Sequence, residues 1–125
     1  MKKAIKSTLL LIITVLVFSS ILIPAPASAE GSYPSATAEF FVNDFANVID
    51  NQVETDIVIV NKNYEKTKEK PQIVIVTVNN MQGMDENSFA IKLIENWKIG
   101  NREYDNGILV LLAIDERRIK IEFGY

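Results

Sequence analysis

From Phe40 onward the apolar residues change period several times, and each change marks an element. Phe41 to Ile49 is short and mixed, which suits an extended or turning segment. Asp50 or Asn51 then offers a helix N-cap, and with Asn51 as the cap Glu54 takes the third helical position, as a capping box prefers. Val53, Ile57, Val60 and Tyr64 recur at spacings of four, three and four, one stripe of a helix. The β-branched run Ile57 to Val60 argues locally for a strand. Its long charged flanks decide for a helix, with Pro71 as the stop after Lys70.

Gln72 to Val78 (QIVIVTV) is nearly continuous in β-branched residues and is bounded by Pro71 and Asn79-Asn80. A strand covered on both faces has that composition. Asp85 or Asn87 can cap a second helix, whose stripe is Phe89, Ala90, Leu93, Ile94 and Trp97 and whose C′ residue is Gly100. Asn101 to Asn106 reads as a charged turn and Ile108 to Ile114 as a second strand without a polar side. After a turn at Asp115 to Arg117 the chain alternates, with Arg118, Lys120 and Glu122 on one side and Ile119, Ile121 and Phe123 on the other. That period of two predicts an edge or half-exposed strand, hairpin-paired with its predecessor. Helix, strand, helix, strand, strand is an α/β order, and doubly apolar strands call for helices on both sides of the sheet. Two helices are few for that task, so the domain is expected to be truncated at its C-terminus.

The first 29 residues carry a different pattern. Lys2, Lys3 and Lys6 precede an apolar run from Leu9 to Ile23, and Pro24 to Ala29 (PAPASA) supplies small residues in an A-x-A arrangement. That is the order of a secretory signal peptide, with cleavage expected after Ala29 and an uncleaved membrane anchor as the rival reading. The chain is therefore expected to be exported, to the cell envelope or beyond it. Residues 30–39 (EGSYPSATAE) read as a flexible linker and residues 40–125 as the domain.

Cleavage would remove three of the 13 basic residues and none of the 16 acidic ones, leaving 10 against 16, a net charge of −6. So acidic a domain is a poor partner for nucleic acid or anionic headgroups. The chain contains no cysteine and no histidine. Disulfide stapling, histidine-activated serine or cysteine nucleophiles and histidine-based zinc sites are thereby excluded within it. A metal would have to be a hard cation held by carboxylates and carbonyls.

Val42-x-Asp44-x-Ala46-x-Val48, the strand Ile73 to Val78, Trp97-x-Ile99-Gly100, Asp105-Asn106-Gly107-Ile108-Leu109 and Arg117-x-x-x-Ile121-Glu122-x-Gly124-Tyr125 together, in this order and spacing, resemble the TPM domain, or YgcG-like, family. The resemblance covers about Phe41 to Tyr125 and matches the first part of that domain. It implies a Rossmann-like α/β/α sandwich with a mixed sheet on the outer side of a membrane. Family members are described as acid phosphatases, as calcium binders and as accessory proteins of receptors. It thus implies a binding or assembly-assisting module whose partner is a membrane protein or envelope component, with calcium as a ligand, or alternatively a metal-dependent acid phosphatase.

Two constellations could carry that chemistry. In α/β sheets ligand sites gather where loops meet strand ends, so oxygens of Asp44, Asp105 and Asn106 could converge on a calcium ion, which takes six to eight of them. The plainer reading is turn chemistry at both loops. Glu122 lies on the polar side of the last strand beside Gly124-Tyr125, and Arg117, in the hairpin turn, could hold a phosphate through a bidentate contact, with metal-bound water as nucleophile. Alternating charge on a solvated edge strand explains the same residues without catalysis.

Overall fold

The computed structural model describes residues 32–124, so the expected signal peptide lies outside the described residues. The elements are β1 (Val42–Asp44), α1 (Asn51–Tyr64), β2 (Gln72–Val78), α2 (Glu86–Trp97), β3 (Gly107–Ala113) and β4 (Arg118–Gly124). They form a four-stranded sheet in the order β1-β2-β3-β4. β1, β2 and β3 run parallel and β4 is antiparallel to β3. The mixed sheet with two helices is the α/β architecture expected from the alternation of elements.

Each helix starts at a side chain that satisfies its free N–H groups. The Asp50 carboxylate accepts from the Gln52 N–H, and the Asp85 carboxylate accepts from those of Asn87 and Ser88. Such caps contribute about 1 kcal/mol each. Because Asp50 and not Asn51 is the cap, Glu54 falls one position too late for a capping box, and its N–H closes the first turn onto the Asp50 carbonyl. α1 ends at Tyr64, well before Pro71, and α2 ends at Lys98 in the left-handed conformation rather than at Gly100. Gly100 has its own positive φ of 98° and donates its N–H to the Gln72 side chain.

α2 supplies the main core. Phe89, Ala90, Leu93 and Ile94 are buried against Val74, Val76 and Val78 of β2 and Leu109, Leu111 and Ala113 of β3. Each large apolar side chain so enclosed contributes roughly 1.5–3 kcal/mol. α1 lies on the other face, where Asn61 bonds to Ile73 of β2 and Val42, in register with Ile75, borders a groove together with Val58 and Glu54. The stripe expected on α1 is correct for Ile57 and Tyr64 and incorrect for Val53 and Val60, which are exposed. Asn61 takes the buried position instead. Its amide donates to the carbonyls of Ile57 and Ile73 and its oxygen accepts the Ile73 N–H, so one side chain pairs with β2 as a neighbouring strand would.

Residues 32–39, read from the sequence as a flexible linker, are held against the domain. The Trp97 indole donates to the Pro34 carbonyl, the Tyr33 ring packs on Phe89 with centroids 5.3 Å apart, and Thr37 donates its N–H to the buried Asn43 side chain. A composition that reads as unstructured becomes ordered because its aromatic ring and backbone groups find partners that lie far along the chain.

Candidate functional site

Parallel strands give the sheet two chemically distinct ends, and the candidate residues divide between them. At the carboxyl end, Asp44 closes β1. Its carboxylate accepts from the Thr77 hydroxyl on β2 and from the backbone N–H groups of Val48 and Ile49. The Thr77 oxygen in turn accepts the Ala46 N–H. Burial alone would raise the Asp44 pKa. The bonds from Thr77, Ile49, Val48 and Asn47 outweigh that and hold the carboxyl below its ordinary value. Both carboxylate oxygens are thus committed to donors of the protein.

Asp105 and Asn106 lie at the opposite end. They precede Gly107, which pairs with Gln72 at the start of β2, whereas Asp44 pairs with Thr77 five residues further on. At about 3.3 Å per residue the two loops are roughly 17 Å apart along the sheet. The shared calcium site expected from Asp44, Asp105 and Asn106 is therefore not formed. Asn106 ties the loop itself, accepting the Asn101 N–H and donating to the Glu69 carbonyl. Among the described residues no group of three or more carboxylates gathers around one point. The oxygens described do not fit a resident calcium ion: those of Asp44 face N–H and O–H donors, and around Asp105 no third carboxylate joins a common centre.

Arg117 sits in the β3–β4 turn, exposed, with a left-handed φ of 54°. That turn is at the carboxyl end, but three strand spacings, roughly 14 Å, separate it laterally from Asp44. Glu122 is five residues along β4 toward the other end and is held by Lys120 at 3.2 Å. Arg117, the expected phosphate-binding residue, and Glu122 thus stand at different ends of β4. An open groove of about 670 Å³ lies at the amino end between Ile94, Lys98 and Ile99 and the Arg102–Asp105 turn, with charges of both signs at its rim.

The third feature is a surface. Arg118, Lys120 and Glu122 share the side of β4 that faces α2, and Arg118 reaches Glu86 of that helix at 3.9 Å. The apolar side of β4 therefore points away from the main core. Ile119, Ile121 and Phe123 are 70, 54 and 71 % exposed. They align with Leu112, Val110 and Ile108 of β3, all half-buried, to make a two-strand apolar face that α1, over β1 and β2, does not reach. The period-two alternation gave the two sides of β4, but not that the charged side would lie under a helix. Thr77 and Asn61 were also missed, since a single polar residue within an apolar run carries no period.

No curated protein matches the chain. Its fold is similar to the solution structure of the N-terminal domain of a protein from P. gingivalis, at a TM-score of 0.57 and 27% identity over 68% of this chain and 54% of that one. The chain thus spans about half the length of that structure's chain. The family model described as the TPM domain matches residues 42–125, from the first residue of β1 through β4. The chain belongs to the TPM-domain family.

Proposed function

We propose that this chain is an exported TPM-type domain that acts as a binding or assembly-assisting module at a membrane, with a membrane protein or another envelope component as its partner. The observation that carries the reading is the apolar face of β3 and β4, where Ile119, Ile121 and Phe123 stand largely in water. Exposed apolar surface of this continuity marks interaction sites in soluble domains. Export rests on the Lys2 to Ala29 pattern, and the acidity of the remainder favours a protein partner over nucleic acid.

Calcium is not carried into this reading, because the loops that would ligate it stand at opposite ends of the sheet. Phosphate ester hydrolysis, the other activity the resemblance implies, has no comparable support. Arg117, Glu122 and the carboxylates of the two loops do not meet around one reacting centre.

The test is retention of a detergent-solubilised envelope membrane protein on the immobilised chain, in the form its host produces. The expected result is retention by the wild type and its loss in the Ile119→Asp/Phe123→Asp variant, with thermal unfolding unchanged. Equal retention by both forms would sink the reading.

A further inference from the structure

β4 is a sheet edge: it pairs with β3 along all seven of its residues, and no other described strand pairs on its outer side. It contains no proline and no bulge interrupts its register. The opposite edge, β1, is only three residues long. A long, uninterrupted edge of this kind is a template for another strand, and the residues of β4 state which strand fits.

Ile119-Lys120-Ile121-Glu122-Phe123 is complementary to itself when reversed about Ile121. Antiparallel pairing of two β4 strands with Ile121 opposite Ile121 places Lys120 opposite the second copy's Glu122, twice. It also sets Ile119 against Phe123, and Arg118 against Gly124, which has no side chain to obstruct it. Shifting by two residues opposes Lys120 to Lys120 or Glu122 to Glu122, and like charges directly opposite are destabilising. Shifting by one turns every apolar residue toward the charged face. Parallel pairing in register aligns lysine with lysine. Of these arrangements only the first satisfies both faces.

We infer that a second copy of this chain pairs with β4 edge to edge, antiparallel and centred on Ile121, to give a continuous eight-stranded sheet. The two-fold axis is then perpendicular to the sheet. Both copies of α2 lie on one face, and the Ile119, Ile121 and Phe123 rows join into one apolar surface on the other. The inference uses the backbone edge and stands beside the partner-binding reading, not on it: a monomer that still retained its partner would overturn this inference alone.

Sedimentation of the chain as its host produces it is expected to show a dimer. Lys120→Glu should weaken it about tenfold, by setting glutamate against glutamate, and Lys120→Glu/Glu122→Lys should restore it. A register readout is independent of those charges. The chain has no cysteine, and Ile121→Cys meets its own copy in this arrangement, so mild oxidation should give a covalent dimer. Ile119→Cys is displaced from its copy by about four residues, roughly 13 Å, and should remain uncrosslinked. A wild type that stays monomeric at every concentration reached, or equal crosslinking at both positions, would overturn the inference.

Discussion

The Thr77 hydroxyl on β2 donates to the Asp44 carboxylate at the end of β1, and the same hydroxyl oxygen accepts the Ala46 N–H. One buried threonine thereby ties the short edge strand and the loop that follows it to the centre of the sheet. Asp44 extends the tie by accepting from Val48 and Ile49, the pair of residues immediately before the α1 cap Asp50. Asp44→Ala leaves these donors without their acceptor. The expected loss is about 1–3 kcal/mol in urea unfolding, with the slope unchanged. Thr77→Val should destabilise to a similar extent, and the double variant by less than the sum of the two, because both substitutions remove the same bond.

Acid should loosen the same junction. Burial pushes the Asp44 pKa up, but the donors around it pull it below the ordinary aspartate value, so the folded state binds this proton less readily than the unfolded chain. A depressed folded pKa contributes stability that is present above the unfolded value of about 3.9 and is lost as pH falls through the folded value. Chemical unfolding followed from pH 7 down to roughly pH 3 should show that loss. Asp44→Asn should flatten it, starting from a lower plateau. An identical pH slope in wild type and Asp44→Asn would refute the assignment.

Asn61 joins α1 to β2 through three hydrogen bonds in a site that is 1 % exposed. Asn61→Leu keeps the volume and removes the partners of the Ile73 N–H and carbonyl. A loss of about 2–3 kcal/mol is expected, since buried backbone groups left unpaired carry their full desolvation penalty. Amide exchange at Ile73 should accelerate more than at Val76, which pairs within the sheet.

Gly107 is required by proximity. A methyl group there would run into the carbonyl of Ile99 and approach Gly100, all backbone atoms that cannot swing aside. Gly107→Ala should therefore destabilise by about 1–3 kcal/mol or more, and Gly83→Ala, with open space around it but a φ of +80°, by about 1 kcal/mol from backbone strain alone. Thermal unfolding of the two variants side by side checks the ranking.

Removing residues Ser32 to Ser35 should uncover Trp97 and Phe89, because Pro34 and Tyr33 are the groups that touch them. A red shift of tryptophan emission and a lower unfolding midpoint are expected. A linker, as the composition of this segment suggests, would give neither.

Neighbouring residues sufficed for much of this protein. The β-branched run at Gln72 to Val78 is a strand with the expected ends, and the stripe Phe89, Ala90, Leu93 and Ile94 is the buried face of α2. The cap at Asp85, one of the two offered with Asn87, and the Asp115–Arg117 turn also came from local chemistry, which acts over a few residues and leaves a readable period. The position of a loop on the sheet is not local. Asp44 ends a strand and Asp105 precedes one, so once β1, β2 and β3 run parallel the two must stand at opposite ends, whatever their own composition. Likewise, alternation sorted the residues of β4 into two sides, but only the packing of α2 decided that Lys120 and Glu122 would be half-buried beside the helix and Ile119, Ile121 and Phe123 would face water. Strand direction and the side chosen by a helix are properties of pairings between segments distant in the chain, and no single segment encodes them.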